Sequence, residues 1–133
     1  MQIGEVAEQT GLSLRTIRYY EEVGLVSPSA RTSGGFRLYS ETDVARLRLV
    51  RRMKPLEFTL EEMRRVLDVL DALETTSPDT GEHDELVAQL TGYQQAAEAR
   101  VAALREQLEV AQGFASDLRR EITRQKRMTR HSS

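Results

Sequence analysis

Within six consecutive positions, in the stretch RTIRYYEEVGLV, the chain places two guanidinium groups, a hydroxyl and two phenols: Arg15, Thr16, Arg18, Tyr19 and Tyr20. Guanidinium forks donate paired hydrogen bonds to phosphate or to a guanine edge, and hydroxyls donate singly to phosphate oxygens. At 100° per residue, Arg15, Arg18, Tyr19 and Glu22 leave a helix on the side opposite Leu14, Ile17 and Glu21. Tyr20 falls near the boundary. Such a face suits the major groove of a duplex, where phosphate contacts position the helix and base-edge contacts specify sequence. A second set, Arg31, Arg37 and Tyr39 in SPSARTSGGFRLYS, is placed to meet a passing strand of the backbone. Any one of these arginines, taken alone, reads as a solvated surface residue. Their joint spacing favours an anionic partner.

No nucleophile–base pair, glycine-rich phosphate loop or ligand cluster occurs in the sequence, so catalysis is not expected. Cysteine is absent, which excludes disulfides, thiolate metal sites and thiol redox chemistry. His83 and His131 stand far apart without further ligands nearby, so neither a metal nor a cofactor is expected.

Several elements must hold these groups in place. QIGEVAEQTGLSLRTIRYYEEVGL reads as two short helices around a tight turn. Ala7 is small where helices cross, Gly11 can take the left-handed turn conformation, and Ile17 returns an apolar side chain to the same core. Ser13 caps the second helix and is grouped with the DNA-facing set. Gly24 ends that helix. Pro28 then opens an extended segment, SGG supplies positive-φ positions for a hairpin, and alternation in FRLY predicts a strand burying Phe36 and Leu38 while directing Arg37 and Tyr39 to the other side. This would be a small wing. Ser40 with Asp43 and Thr59 with Glu62 have capping-box spacing at the starts of two further helices. Val44, Leu47 and Val50 form the apolar stripe of the first, which Pro55 ends; Leu60, Met63, Val66, Leu67 and Leu70 form that of the second.

TTSPDTGE is a linker, and a long proline-free segment follows. There Leu86, Leu90, Tyr93, Ala97, Val101, Leu104, Leu108, Ala111, Ala115, Leu118 and Ile122 recur in steps of three and four, a heptad seam with one stutter between Ala97 and Val101. As one helix this segment would extend about 65 Å, too far for a small domain to cover, so the seam predicts self-association. The expected fold is all-α with a small β-hairpin wing: a winged helix-turn-helix domain over 1–74, a linker over 75–81, a coiled-coil dimerisation helix over 82–127 and a disordered basic tail over 128–133.

These residues resemble a known family. IGEVAEQTGLSLRTIRYYEEVGLVSPSARTSGGFRLYSETDVARLRLVRRMK, followed by FTLEEMRRVL, is similar to the N-terminal half of MerR-family transcription regulators, down to the RYYE..GL..P.R...G.R.Y core. The resemblance covers about residues 3–70. It implies a winged helix-turn-helix, a long C-terminal helix paired antiparallel with its mate, and a homodimer on a pseudo-palindromic promoter. It further implies bending and untwisting of the spacer DNA that brings the promoter into register for RNA polymerase. Carried over residue by residue, Arg15, Thr16, Arg18 and Tyr19 fall on the recognition helix. Tyr20 falls on a tyrosine that approaches the backbone, Arg31, Arg37 and Tyr39 on the wing, and Lys54 on a basic position that meets phosphate. Two departures stand out. Glu57 occupies the position before Phe58 where relatives usually carry glycine, and the sensor cysteines of metal- and redox-sensing relatives are missing. The separate ligand domain of drug-sensing relatives is likewise not expected.

Composition fits one domain plus an extended element: 133 residues, 30% charged and 5% aromatic. The net charge of -2 conceals blocks. Residues 13–56 hold nine Arg or Lys against four Asp or Glu, 57–98 hold two against eleven, and 99–133 hold eight against four. Met1 leads directly into an amphipathic segment, and no apolar run approaches the roughly 20 residues of a membrane helix, so a cytoplasmic protein without membrane contact is expected. The expected partners are double-stranded promoter DNA, a second copy and RNA polymerase, with an unidentified small-molecule effector left open. Two alternatives remain at this level: a coiled-coil adaptor protein, or an effector-free architectural DNA-binding factor of the same fold.

Overall fold

The computed structural model describes residues 1–28, 30–31, 34–35 and 37–131, with the side chains of 31 and 131 outside that description. Along the chain run α1 (Ile3–Thr10), α2 (Leu14–Glu22), β1 (Ala30–Arg31), β2 (Arg37–Leu38), α3 (Glu41–Met53), a 3-10 turn (Lys54–Leu56), α4 (Leu60–Thr75) and α5 (Gly81–His131). The chain divides into two units, 1–94 and 95–133.

In the first unit, α1 packs on α2 and α3, and α3 packs on α4. Val6, Ile17, Leu25, Val26, Val44, Leu47, Val50 and Leu67 are buried at their centre. Val69, outside the apolar stripe assigned to α4, is buried as well.

Backbone chemistry sets where each helix begins and stops. Ser13 Oγ accepts from Thr16 N at 3.0 Å, and reciprocal capping boxes close at Ser40–Asp43 and Thr59–Glu62, as their spacing predicts. At the end of α2, Leu25 N donates to Tyr20 O and Gly24 N to Glu21 O, with Gly24 at φ 81°. This double bond pattern is the usual glycine stop, because a Cβ resists that backbone region. Arginines from α3 and α4 satisfy other helix-end carbonyls. Arg51 Nη1 donates to Thr10 O at 3.0 Å, and Arg64 donates to Val23 O. Each cation meets the negative end of a helix dipole.

Four expectations are corrected. Leu14, expected inward or flanking, is 42% exposed, since a first-turn residue has no preceding turn to pack beneath it. Tyr39 is buried rather than directed outward with Arg37, because β2 ends at Leu38 and strand alternation does not reach it. Phe36, expected on the opposite side, lies outside the described residues. The helix expected over 82–127 runs from Gly81 to His131, so the basic stretch expected to be disordered is helical as far as 131. The expected linker begins one residue later, after Thr75.

Within the second unit, ion pairs at helical spacing, Arg120–Asp117 at 2.7 Å and Arg124–Glu121 at 2.8 Å, support the helical register. Hydrogen bonds from Arg124, then Gln125, hold the Glu121 carboxyl down to about 2. Leu104, Leu108, Leu118 and Ile122 of the seam are exposed, and so are Val110 and Phe114 beside it. Leu86, Leu90 and Tyr93, in the first unit, are half-buried. No helix among the described residues is long and apolar enough to cross a membrane.

Candidate nucleic-acid interface

The outer face of α2 carries Arg15, Arg18 and Tyr19, all exposed, with Thr16 half-buried. Ile17 and Tyr20 anchor the opposite face in the core, at 0% and 3% exposure, and fix the rotation of the helix about its axis. Thr16 Oγ1 lies 2.8 Å from Ser13 Oγ, so the two hydroxyls form one small polar cluster at the helix start.

Arg15, Thr16, Tyr19, Tyr20 and Lys54 line a concavity of about 460 Å³ with Phe58, Leu60 and Met63. The sequence residues Lys54 and Arg15, far apart in the chain, thus face one space. Its shape depends on the turn after α3: Glu57 adopts φ 59°, ψ 31°, and its N–H donates to Lys54 O at 3.0 Å. Here the chain departs from the glycine expected by resemblance, yet keeps the left-handed backbone that glycine favours. The turn places Phe58 against the buried side.

Within the basic block over 13–56, several cations are already held by protein acceptors. Arg37 pairs with Glu21, Arg46 with Asp71 and the Leu25 carbonyl, Arg48 with the Gln9 carbonyl and Arg51 with that of Thr10. Among the described residues of that block, Arg15, Arg18, Arg52 and Lys54 have no protein acceptor. Two of these lie on the exposed face of α2 and Lys54 lines the same concavity.

The wing is a two-stranded antiparallel ladder with Ala30 opposite Leu38 and Arg31 opposite Arg37. A strand cation is held best where an anion lies beside it. Arg37 finds one: its Nε lies 2.8 Å from Glu21 Oε1. That nitrogen is buried and makes no directed hydrogen bond, so the contact is an ion pair. Tyr39 OH donates to Glu21 Oε2 at 2.7 Å, and Tyr39 exchanges two backbone hydrogen bonds with Met1, at 2.7 and 2.9 Å. Burial first, and then the bond to Glu21, push the Tyr39 phenol up to about 12. Burial also raises the Tyr20 phenol, with a smaller contribution from Tyr19, whose ring centroid is 5.7 Å away.

Of the residues expected to touch DNA, Ser13, Arg15, Arg18, Tyr19 and Lys54 are exposed, and Thr16 and Arg37 are partly so. Tyr20 and Tyr39 are buried, although Tyr20 also lines the concavity. The side chain of Arg31 lies outside the described residues. Sequence reasoning missed Glu21, which it treated only as an inward or flanking helix residue. No local spacing signals it, because its partners Arg37 and Tyr39 come from the wing.

Residues 1–70 match the family described as MerR HTH family regulatory protein. The chain is 44% identical over 78 residues to the mercuric resistance operon regulatory protein of Bacillus cereus, a stretch covering 59% of each. It spans about half the length of the curated relatives it matches. The lead(II) complex of the transcription regulator PbrR691 from Ralstonia metallidurans CH34 is similar over 81% of both chains, with 32% identity and a TM-score of 0.51. HiNmlR, a MerR family regulator lacking the sensor domain and bound to promoter DNA, is similar over 82% of this chain and 78% of its own. Its TM-score is 0.61, and at 20% identity the likeness is one of fold.

Proposed function

Because this chain belongs to the MerR family of helix-turn-helix regulatory proteins, we propose that it acts as a homodimer that grips a pseudo-palindromic promoter and distorts the spacer DNA for RNA polymerase. Transcription regulation and DNA binding characterise the family, and its members are not enzymes. The observation that carries the reading is the set of unpartnered cations on one surface. Arg15 and Arg18 project from α2, and Lys54 joins Arg15 and Tyr19 around one concavity. Protein acceptors neutralise the arginines that cap helices; these cations are left for phosphate and base edges.

In this reading α2 enters the major groove while the wing follows the adjacent backbone. A dimer presents two copies of α2 to half-sites separated by whole turns, which requires a pseudo-palindromic site. Pairing along α5 supplies the two-fold axis, with the seam from Leu86 to Ile122 as its contact. Support comes from the exposed Leu104, Leu108, Leu118 and Ile122. An antiparallel pairing would set the second copy of α2 at a fixed spacing. Gripping half-sites at a spacing the relaxed duplex does not offer costs deformation energy, offset by phosphate contacts from both wings.

The metal ions named for the mercuric and lead(II) relatives do not carry over. Soft metal ions prefer thiolates, and the chain contains no cysteine. Regulation through DNA occupancy alone is therefore consistent with these residues.

Replacing Arg18 by alanine tests the interface. Operator affinity at fixed salt is expected to fall about tenfold or more, in line with a lost guanidinium contact of roughly 1–3 kcal/mol, while the oligomeric state is unchanged. Unaltered affinity would remove α2 as the reading helix.

A further inference from the structure

Glu21 is an acid in the last turn of the helix proposed to enter the groove, where bare electrostatics would disfavour it. Both of its carboxylate oxygens are committed to the wing. Oε1 pairs with Arg37 Nε at 2.8 Å and Oε2 accepts from Tyr39 OH at 2.7 Å. The carboxylate is largely enclosed, with its side chain 14% exposed, while the Arg37 side chain keeps 39%. Since Nε itself is buried, that exposure belongs to other atoms of Arg37.

We propose that Glu21 is a positioning residue of the DNA interface: it grips Arg37 by Nε, aims the rest of the guanidinium outward at backbone phosphate, and fixes the wing to α2. The inference rests on the DNA-binding reading and names how one of its contacts is preorganised. A free arginine must surrender rotamer freedom when it binds phosphate, and a planar fork already held at one edge surrenders less. Tyr39 carries the second half of the clamp. Its backbone bonds to Met1 and its phenol bond to Glu21 tie the end of the wing to the segment ahead of α1 and to α2. The helix and the wing then present their cations in one fixed relation, so a phosphate contact by Arg37 does not have to be found anew at each encounter.

The sign of the effect separates this role from simple charge. Removing an acid near phosphates strengthens binding if only net charge counts. Loss of a positioning residue weakens it. The experiment uses the full chain and a duplex of about 40 base pairs of fixed mixed sequence, long enough for two half-sites a turn or two apart, titrated at several salt concentrations. Glu21→Ala is expected to weaken binding about tenfold and to lower the salt slope by about one, as does losing one ordered phosphate contact. Arg37→Ala is expected to weaken binding similarly, and Glu21→Ala is expected to add nothing in the Arg37→Ala background. Glu21→Gln, which can still accept from Tyr39 but cannot hold the cation, serves if the alanine variant fails to fold; its smaller loss should also vanish without Arg37.

Equal losses from Glu21→Ala with and without Arg37 would mean that Glu21 only holds the wing folded, which overturns the proposal. So would tighter binding by either Glu21 variant, or unchanged binding by Arg37→Ala. A wild-type chain that ignores the duplex at low salt would instead defeat the DNA-binding reading itself.

Discussion

Tyr39 and Glu21 illustrate how single side chains decide what the interface can present. The phenol is buried, donates to Glu21, and is pushed up to about 12. An unfolded tyrosine titrates near 10, so the folded state holds this proton more tightly. Stability from Tyr39 is therefore fully present below about pH 10 and is lost as pH rises through about 12. Chemical denaturation across that window should show wild type losing stability more steeply than Tyr39→Phe, which carries no titrating proton there; parallel curves would mean that neither burial nor Glu21 holds the phenol proton. Residue roles were only partly legible in the sequence. The exposed set Arg15, Arg18, Tyr19 and Lys54 follows from helical periodicity and resemblance, because a helix wheel fixes direction. Tyr39 was misread because alternation assumes that a strand continues, and β2 stops at Leu38. Glu21 was missed because its partners Arg37 and Tyr39 come from another element, and no local pattern encodes that meeting.

At the scale of elements, boundaries were the most legible feature. Capping residues act within one turn, so Ser13, Ser40 and Thr59 mark helix starts from sequence alone. Glu57 is the exception that carries a cost. Its left-handed φ of 59° is unfavourable for a residue with a Cβ by roughly 1 kcal/mol, and the 3-10 turn after α3 must absorb it. Glu57→Gly should raise stability by up to about 0.5 kcal/mol, the relieved strain less the entropy that glycine adds to the unfolded chain, read from the urea midpoint at constant slope. A destabilised variant would mean that the Glu57 side chain contributes more than its backbone costs. The end of α5 was illegible for a different reason. A basic, polar tail resembles a solvated end in composition, whereas Asp117, Glu121 and Gln125 sit three or four residues from their partners and sustain the helix to His131.

For the whole molecule, the helix-turn-helix unit and α5 divide the labour proposed above: one reads the duplex and the other sets how many readers there are. The seam was legible because steps of three and four persist from Leu86 to Ile122. What the sequence did not announce is the width of the apolar surface. Phe114 is 64% exposed and lies outside the seam, as does Val110. A second helix covering that surface would remove several large apolar side chains from water, each contributing about 1.5–3 kcal/mol when fully buried. The central claim is that two chains, joined along α5, engage one duplex. Sedimentation equilibrium of the full chain, alone and with a duplex of about 40 base pairs spanning two half-sites, tests it most directly. The expected result is a dimer that adds to the duplex as a unit, two chains per DNA; a single chain in solution that remains single on the duplex would contradict it.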